Sequence, residues 1–162
     1  MTKKKPIDRV RTRLGDIVEI PLKGEYAYAQ YVRDSKRISE LICIFPFRSL
    51  HSLSSIDDIS LGEDLYCCFF PVGIAAHRRL VRIVGTRPIP KKYRRMPCFK
   101  QFNQNVETRK RTWFIWDGKS AKSQMVSRLT EEQKKYPMMS MLGWDALVHC
   151  LETDWRPEHE FK

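Results

Sequence analysis

The chain has 162 residues, 42% of them hydrophobic, with a formal net charge of +11. That length supports one domain with a core of its own, and the composition excludes disorder of the whole chain. No apolar run is long enough for a transmembrane helix, so no membrane association is expected. Residues 1–14 read as a basic leader with little regular order, and 15–162 as a single globular domain. Lys3, Lys4 and Lys5 resemble a secretory n-region in charge. Asp8, Arg9, Arg11 and Arg13 interrupt the apolar stretch that should follow, so a cytoplasmic protein is expected. Gly15 and Asp16 stop the leader. Val18, Ile20 and Leu22 then recur at period two on one strand face, with Glu19 on the other. Pro21 lacks a backbone donor, so this strand should sit at a sheet edge or end there. Lys23, Gly24 and Glu25 supply a turn. The next strand sets Tyr26 and Tyr28 on one face and Ala27 and Ala29 on the other, which suits a curved wall.

The order Gly15-Asp16, apolar residues, Ile20-Pro21-Leu22, then Tyr26-Ala27-Tyr28, Gln30 and Val32 resembles the opening of the bacterial immunity protein 26 family. Trp113, Phe114, Ile115 and Trp116 add a looser likeness further on. The resemblance implies an antidote encoded beside a polymorphic toxin, acting by binding that toxin. It carries no catalytic residues onto this chain.

The region 41–47 is apolar on both faces, as in a buried strand bent or ended by Pro46. Residues 48–63 read as a Ser-rich loop with a helical turn. Residues 65–72 predict a strand, 73–76 a turn, and 80–84 a short strand closed by Gly85. Pro88 and Pro90 open an extended connection to about residue 107. Residues 112–117 predict a strand closed by an Asp117-Gly118 turn. Thr130 and Gln133 fit a capping box, with Pro137 limiting the helix. Trp144, Leu147, Val148 and Leu151 follow at helical spacing. The expected fold is mainly β (α+β): a small, strongly bent antiparallel sheet or an SH3-like barrel with two short C-terminal helices.

The charge is uneven. Between residues 65 and 106 there is no Asp or Glu. Arg78, Arg79, Arg82, Lys91, Lys92, Tyr93, Arg94 and Arg95, with Arg109, Lys110 and Arg111 beyond, are the expected partner-binding residues. Such a block attracts an acidic partner. The expected partner is a toxin protein with an acidic face. Tyr93, Phe99 and Phe102 interleave rings with the cations, so a nucleic-acid-binding module of the RNA-binding kind is the alternative. No RNP strand or GXXG loop supports it.

Catalysis is not expected. Of His51, His77, His149 and His159, His77 precedes Arg78-Arg79 and has no acid nearby in the chain to partner it, and Asp57-Asp58 reads as a turn former. His149 and Cys150 are helix neighbours whose side chains diverge. No phosphate loop, HExxH or GxSxG occurs. The five Cys cannot all pair. Cys43, Cys67 and Cys68 read as structural thiols, with Cys67 and Cys68 pointing to opposite strand faces. Neither metal nor cofactor is expected. The sequence sets no oligomeric state.

Overall fold

The computed structural model describes residues 10–59, 63–119 and 123–161. Residues 1–9 of the expected leader lie outside that description. The hairpin forms as read: β1 (Asp16–Pro21) pairs antiparallel with β2 (Tyr26–Asp34), Ile17 opposite Gln30 and Pro21 opposite Tyr26. The Leu22 N–H donates to the Glu25 carbonyl at 2.8 Å, and Gly24 takes φ 86° between them. A side chain there would be strained.

β3 (Glu40–Ser49) pairs with the far edge of β2. Its register shifts between Ile44 and Arg48, the stretch holding Pro46, so the proline bends the strand and does not end it. β4 (Tyr66–Phe69) follows β3, and β5 (Arg82–Thr86) pairs with β1. The sheet order is β4-β3-β2-β1-β5. A second antiparallel sheet is built from β6 (Phe99–Gln104), β7 (Arg111–Trp116) and β8 (Gln124–Val126). The helices are α1 (Val72–His77), α2 (Glu131–Lys134) and α3 (Trp144–Glu152). The fold is mainly β in an α+β arrangement. Both sheets are open, so the barrel alternative is set aside: β4 and β5 are the outer strands and do not meet.

The large sheet is covered on both faces. Ala27, Ala29 and Tyr31 of β2 join Val18, Ile20, Ile42, Ile44 and Cys68 in one cluster. Val72, Ala75 and Ala76 of α1 and Leu147 and Leu151 of α3 close it. The opposite face is split. Ile17, Tyr28, Phe45 and Ile59 pack at one end. Val32, Leu41, Cys43, Cys67 and Phe69 pack at the other against Phe99 and Trp116 of the second sheet. Phe69 stacks on Phe99 at 4.9 Å and Phe99 on Trp116 at 5.5 Å. That stack bolts the two sheets together.

Several expectations change. Residues 73–76 are the body of α1, because Val72, Ala75 and Ala76 recur at i, i+3 and i+4 and bury one helical face. The strand expected at 80–84 begins at Arg82 and runs to Thr86. The extended connection after Pro88 contains a 3-10 turn at Lys91–Arg94 and all of β6. β8 carried no clear signal. Cys43 and Cys67 are not free thiols: direct register partners on β3 and β4, they form a disulfide, leaving Cys68, Cys98 and Cys150 reduced. Cys67 and Cys68 do diverge, onto opposite faces of the sheet. The capping box of α2 is present in both directions, between Thr130 and Gln133.

Lys100 is the one fully buried lysine among the described residues. Its ammonium donates to the carbonyl of Lys134, at the C-terminal end of α2, and to that of Pro157 at 2.9 Å. Carbonyls at a helix C-terminus favour a cation.

Candidate functional site

The basic segment, continuous in sequence, is divided by the fold. Arg78 and Arg79 close α1 on one face of the large sheet. The turn at Lys91–Arg94 sits on the other, with Tyr93 in the cluster of Val32 and Phe99. Arg109, Lys110 and Arg111 lie at the tip of the β6–β7 hairpin.

Not all of these side chains are available. Tyr93 is buried, its hydroxyl donating to the Asp64 carboxylate at 2.5 Å and lying 3.1 Å from the Cys67 sulfur. Burial and that carboxylate push its phenol well above the ordinary range. Lys92 pairs with the same Asp64 at 2.6 Å. Phe99 belongs to the core, so of the three rings interleaved with cations only Phe102 is exposed. Arg111 places its guanidinium 5.8 Å from the Phe102 ring, and Phe102 tilts against Trp113 at 5.1 Å. The Arg94 carbonyl accepts from Arg33 at 2.6 Å, while the side chains of Lys91, Arg94 and Arg95 are exposed.

Arg82 serves the hairpin. Its Nε donates to Glu19 Oε1 at 3.0 Å and its Nη2 to Glu19 Oε2 at 3.3 Å. Glu19, only 3% exposed, also accepts from Tyr28 Oη at 2.9 Å, Ser52 Oγ at 2.7 Å and the Leu53 N–H at 3.0 Å. Burial alone would raise its pKa. The bonds from Arg82, Ser52, Leu53 and Tyr28 outweigh burial and hold the carboxyl below 4.5. Tyr28 is pushed up to about 12 by burial and by Glu19. Sequence reading set Glu19 on the strand face opposite Val18 and Ile20, and the hairpin register adds that it stands directly opposite Tyr28.

The remaining hairpin motif residues also have structural duties. Gly15 has φ 93°, and a Cβ there would lie 2.6 Å from the Arg87 carbonyl oxygen, so only glycine fits. Gln30 Nε2 donates to that carbonyl at 2.9 Å. Asp16 accepts from the Arg13 N–H at 2.7 Å and Thr86 Oγ1 at 2.8 Å. The motif builds a frame whose polar atoms are spent internally.

What stands open lies beside that frame. A cleft of about 460 Å³ runs between the hairpin, α1 and the start of β5, lined by Tyr26, Ala76, Arg79, Leu80 and Ile83 among others. A shallower hollow of about 510 Å³, lined by Gly73, Ile74, His77 and Arg78, shares Val10 with it. Ile74 is 57% exposed on the face of α1 that also carries His77 and Arg78, at i+3 and i+4. Sequence reading missed Ile74, because residues 73–76 were assigned to a turn. Among the described residues the only carboxylate lining either hollow is Glu19, already bound to Arg82. Arg78 and Arg79 make no ion pair with the described residues.

Arg79 shares with Arg109 and Asp154 a left-handed backbone among the described non-glycine residues. It has φ 59°. Its N–H donates to the Ala76 carbonyl at 3.0 Å, and the Leu80 N–H donates to that of Ala75 at 2.9 Å. This is a Schellman termination with an arginine where glycine is preferred. A left-handed residue with a Cβ costs about 1–2 kcal/mol.

A third hollow, about 240 Å³, is bordered by Cys68, His149, Cys150 and Trp155. Burial raises the Cys68 thiol far above its ordinary range, which keeps it protonated and unreactive. Among the described residues no group of three or more His, Cys, Asp or Glu side chains is placed to hold a metal ion. No described helix is long and apolar enough to cross a membrane. The chain matches no known protein family, no curated protein and no solved structure.

Proposed function

We propose that this chain is an immunity protein that neutralises a cognate bacterial toxin by stoichiometric binding, with no chemistry of its own. The observation that carries the reading is the exposed arginine pair Arg78-Arg79 beside an apolar hollow, neither arginine forming an ion pair among the described residues. The likeness of residues 15–32 to the immunity protein 26 family supplies the biological class. The toxin is expected to present an acidic face, which such a rim would attract and orient. The cytoplasm is proposed as the place of action.

The test begins with the neighbouring reading frame. Its toxin domain, purified and titrated with this chain, should bind one to one and lose its toxicity. Charge reversal at Arg78 and Arg79, and separately at Arg94 and Arg95, tells which side of the sheet docks. Affinity untouched by both reversals places the interface elsewhere. Turnover of a metabolite or nucleic acid by the purified chain, abolished by one substitution, overturns the reading.

The Arg111, Phe102 and Trp113 cluster favours a second reading, a nucleic-acid-binding module. Gel shifts across a salt series separate the two: tight binding of unrelated RNA with a steep salt slope supports this one.

A further inference from the structure

We infer that the joined hollows around α1 are the docking surface, and that their occupant is an acidic segment of the partner polypeptide carrying an aliphatic side chain. The inference rests on the toxin-binding reading and names the surface that reading leaves open. Three observations converge. The floor is aliphatic, from Val10, Ile74, Leu80 and Ile83. The rim is cationic: Glu19 is engaged by Arg82, the Glu40 carboxylate beside Gly73 accepts from the Gly73 N–H and Ser39, and Arg78 and Arg79 have no ion pair among the described residues. The chain retains an arginine at the C-terminal turn of α1 although the backbone there favours glycine. A residue that breaks a local rule marks a place where its side chain is needed.

Charge selects among occupants. Lys3, Lys4 and Lys5 of the same chain carry the wrong sign. A nucleic acid would bring the right sign, and the rings of Tyr26 and His77 border the hollows, but the floor between them is aliphatic and suits an aliphatic side chain better than a base. Carboxylates meeting Arg78 and Arg79, with an aliphatic side chain set against Ile74 and Leu80, satisfy both rim and floor.

The probe is a short fluorescent peptide alternating glutamate and leucine, titrated into the full chain, with a lysine–leucine peptide and oligothymidylate as competitors. Binding of the acidic peptide alone is expected, with amide shifts confined to α1, the start of β5 and the hairpin turn. Arg78→Glu with Arg79→Glu, and separately Ile74→Asp, should each weaken it at least tenfold. Ile74 is exposed, so its change should leave the melting temperature in place. Arg79→Gly gives the sharpest outcome: a melting temperature higher by a few degrees together with weaker binding. No binding, affinity unmoved by these changes, or displacement by oligothymidylate each overturns the inference. Toxin neutralisation that survives Ile74→Asp removes the cleft and leaves the immunity reading. Peptide binding in the cleft without any toxin partner does the reverse.

Discussion

Glu19 shows how one side chain can hold a frame. Four donors converge on it, and none of them is a near neighbour in sequence. Glu19→Ala strands a buried phenol, a hydroxyl, a backbone N–H and a guanidinium, and should cost about 2–3 kcal/mol in urea unfolding. Its acid dependence has a definite sign. The folded carboxyl titrates below its unfolded value, so its contribution is complete above pH 4.5 and fades as pH falls through the folded pKa. Circular-dichroism melts of wild type and Glu19→Gln should converge at low pH. Tyr28 works at the other end: raised from 10.0 to about 12, it supports the fold below pH 10 and loses that support as pH climbs through 12. At this scale the sequence was misleading for Tyr93, which is buried, while Arg82 is exposed but engaged by Glu19. Charge counting reads both as open to a partner. It cannot see that Glu19 and Asp64, distant along the chain, come to meet them.

Elements with a strong period were legible. The first hairpin, β3, β7 and α3 each repeat apolar residues often enough to state their type. α1 was not, since six residues with a proline before them and a glycine inside carry too little pattern to outweigh turn chemistry. β6 follows three prolines and exposes most of its side chains, so it alternates weakly. Pairing of β3 with β4 has a consequence that no spacing rule could foresee: register alone brings Cys43 opposite Cys67. The bond closes a separation of 24 residues, so Cys43→Ser should cost about 3 kcal/mol. Denaturing the oxidised protein in excess iodoacetamide without reductant should label three cysteines and no more, read by mass spectrometry.

The whole molecule depends on the joint between its sheets. Phe99 stands between Phe69 and Trp116 and is fully buried. Phe99→Ala should cost about 3–5 kcal/mol. Hydrogen exchange should quicken first in β6, β7 and β8, while β2, flanked on both sides in the large sheet, stays protected. Loss of protection everywhere at once would mean that the two sheets unfold as one unit. The mainly β class was readable from the sequence; the open pair of sheets was not, because strand order depends on contacts between remote segments. The ammonium of Lys100 reaches the Pro157 carbonyl, a point close to the end of the sequence. Any trimming upstream of that proline would strip a partner from a charge that water cannot reach. A shortened expression variant ending within α3 gives this anchor up.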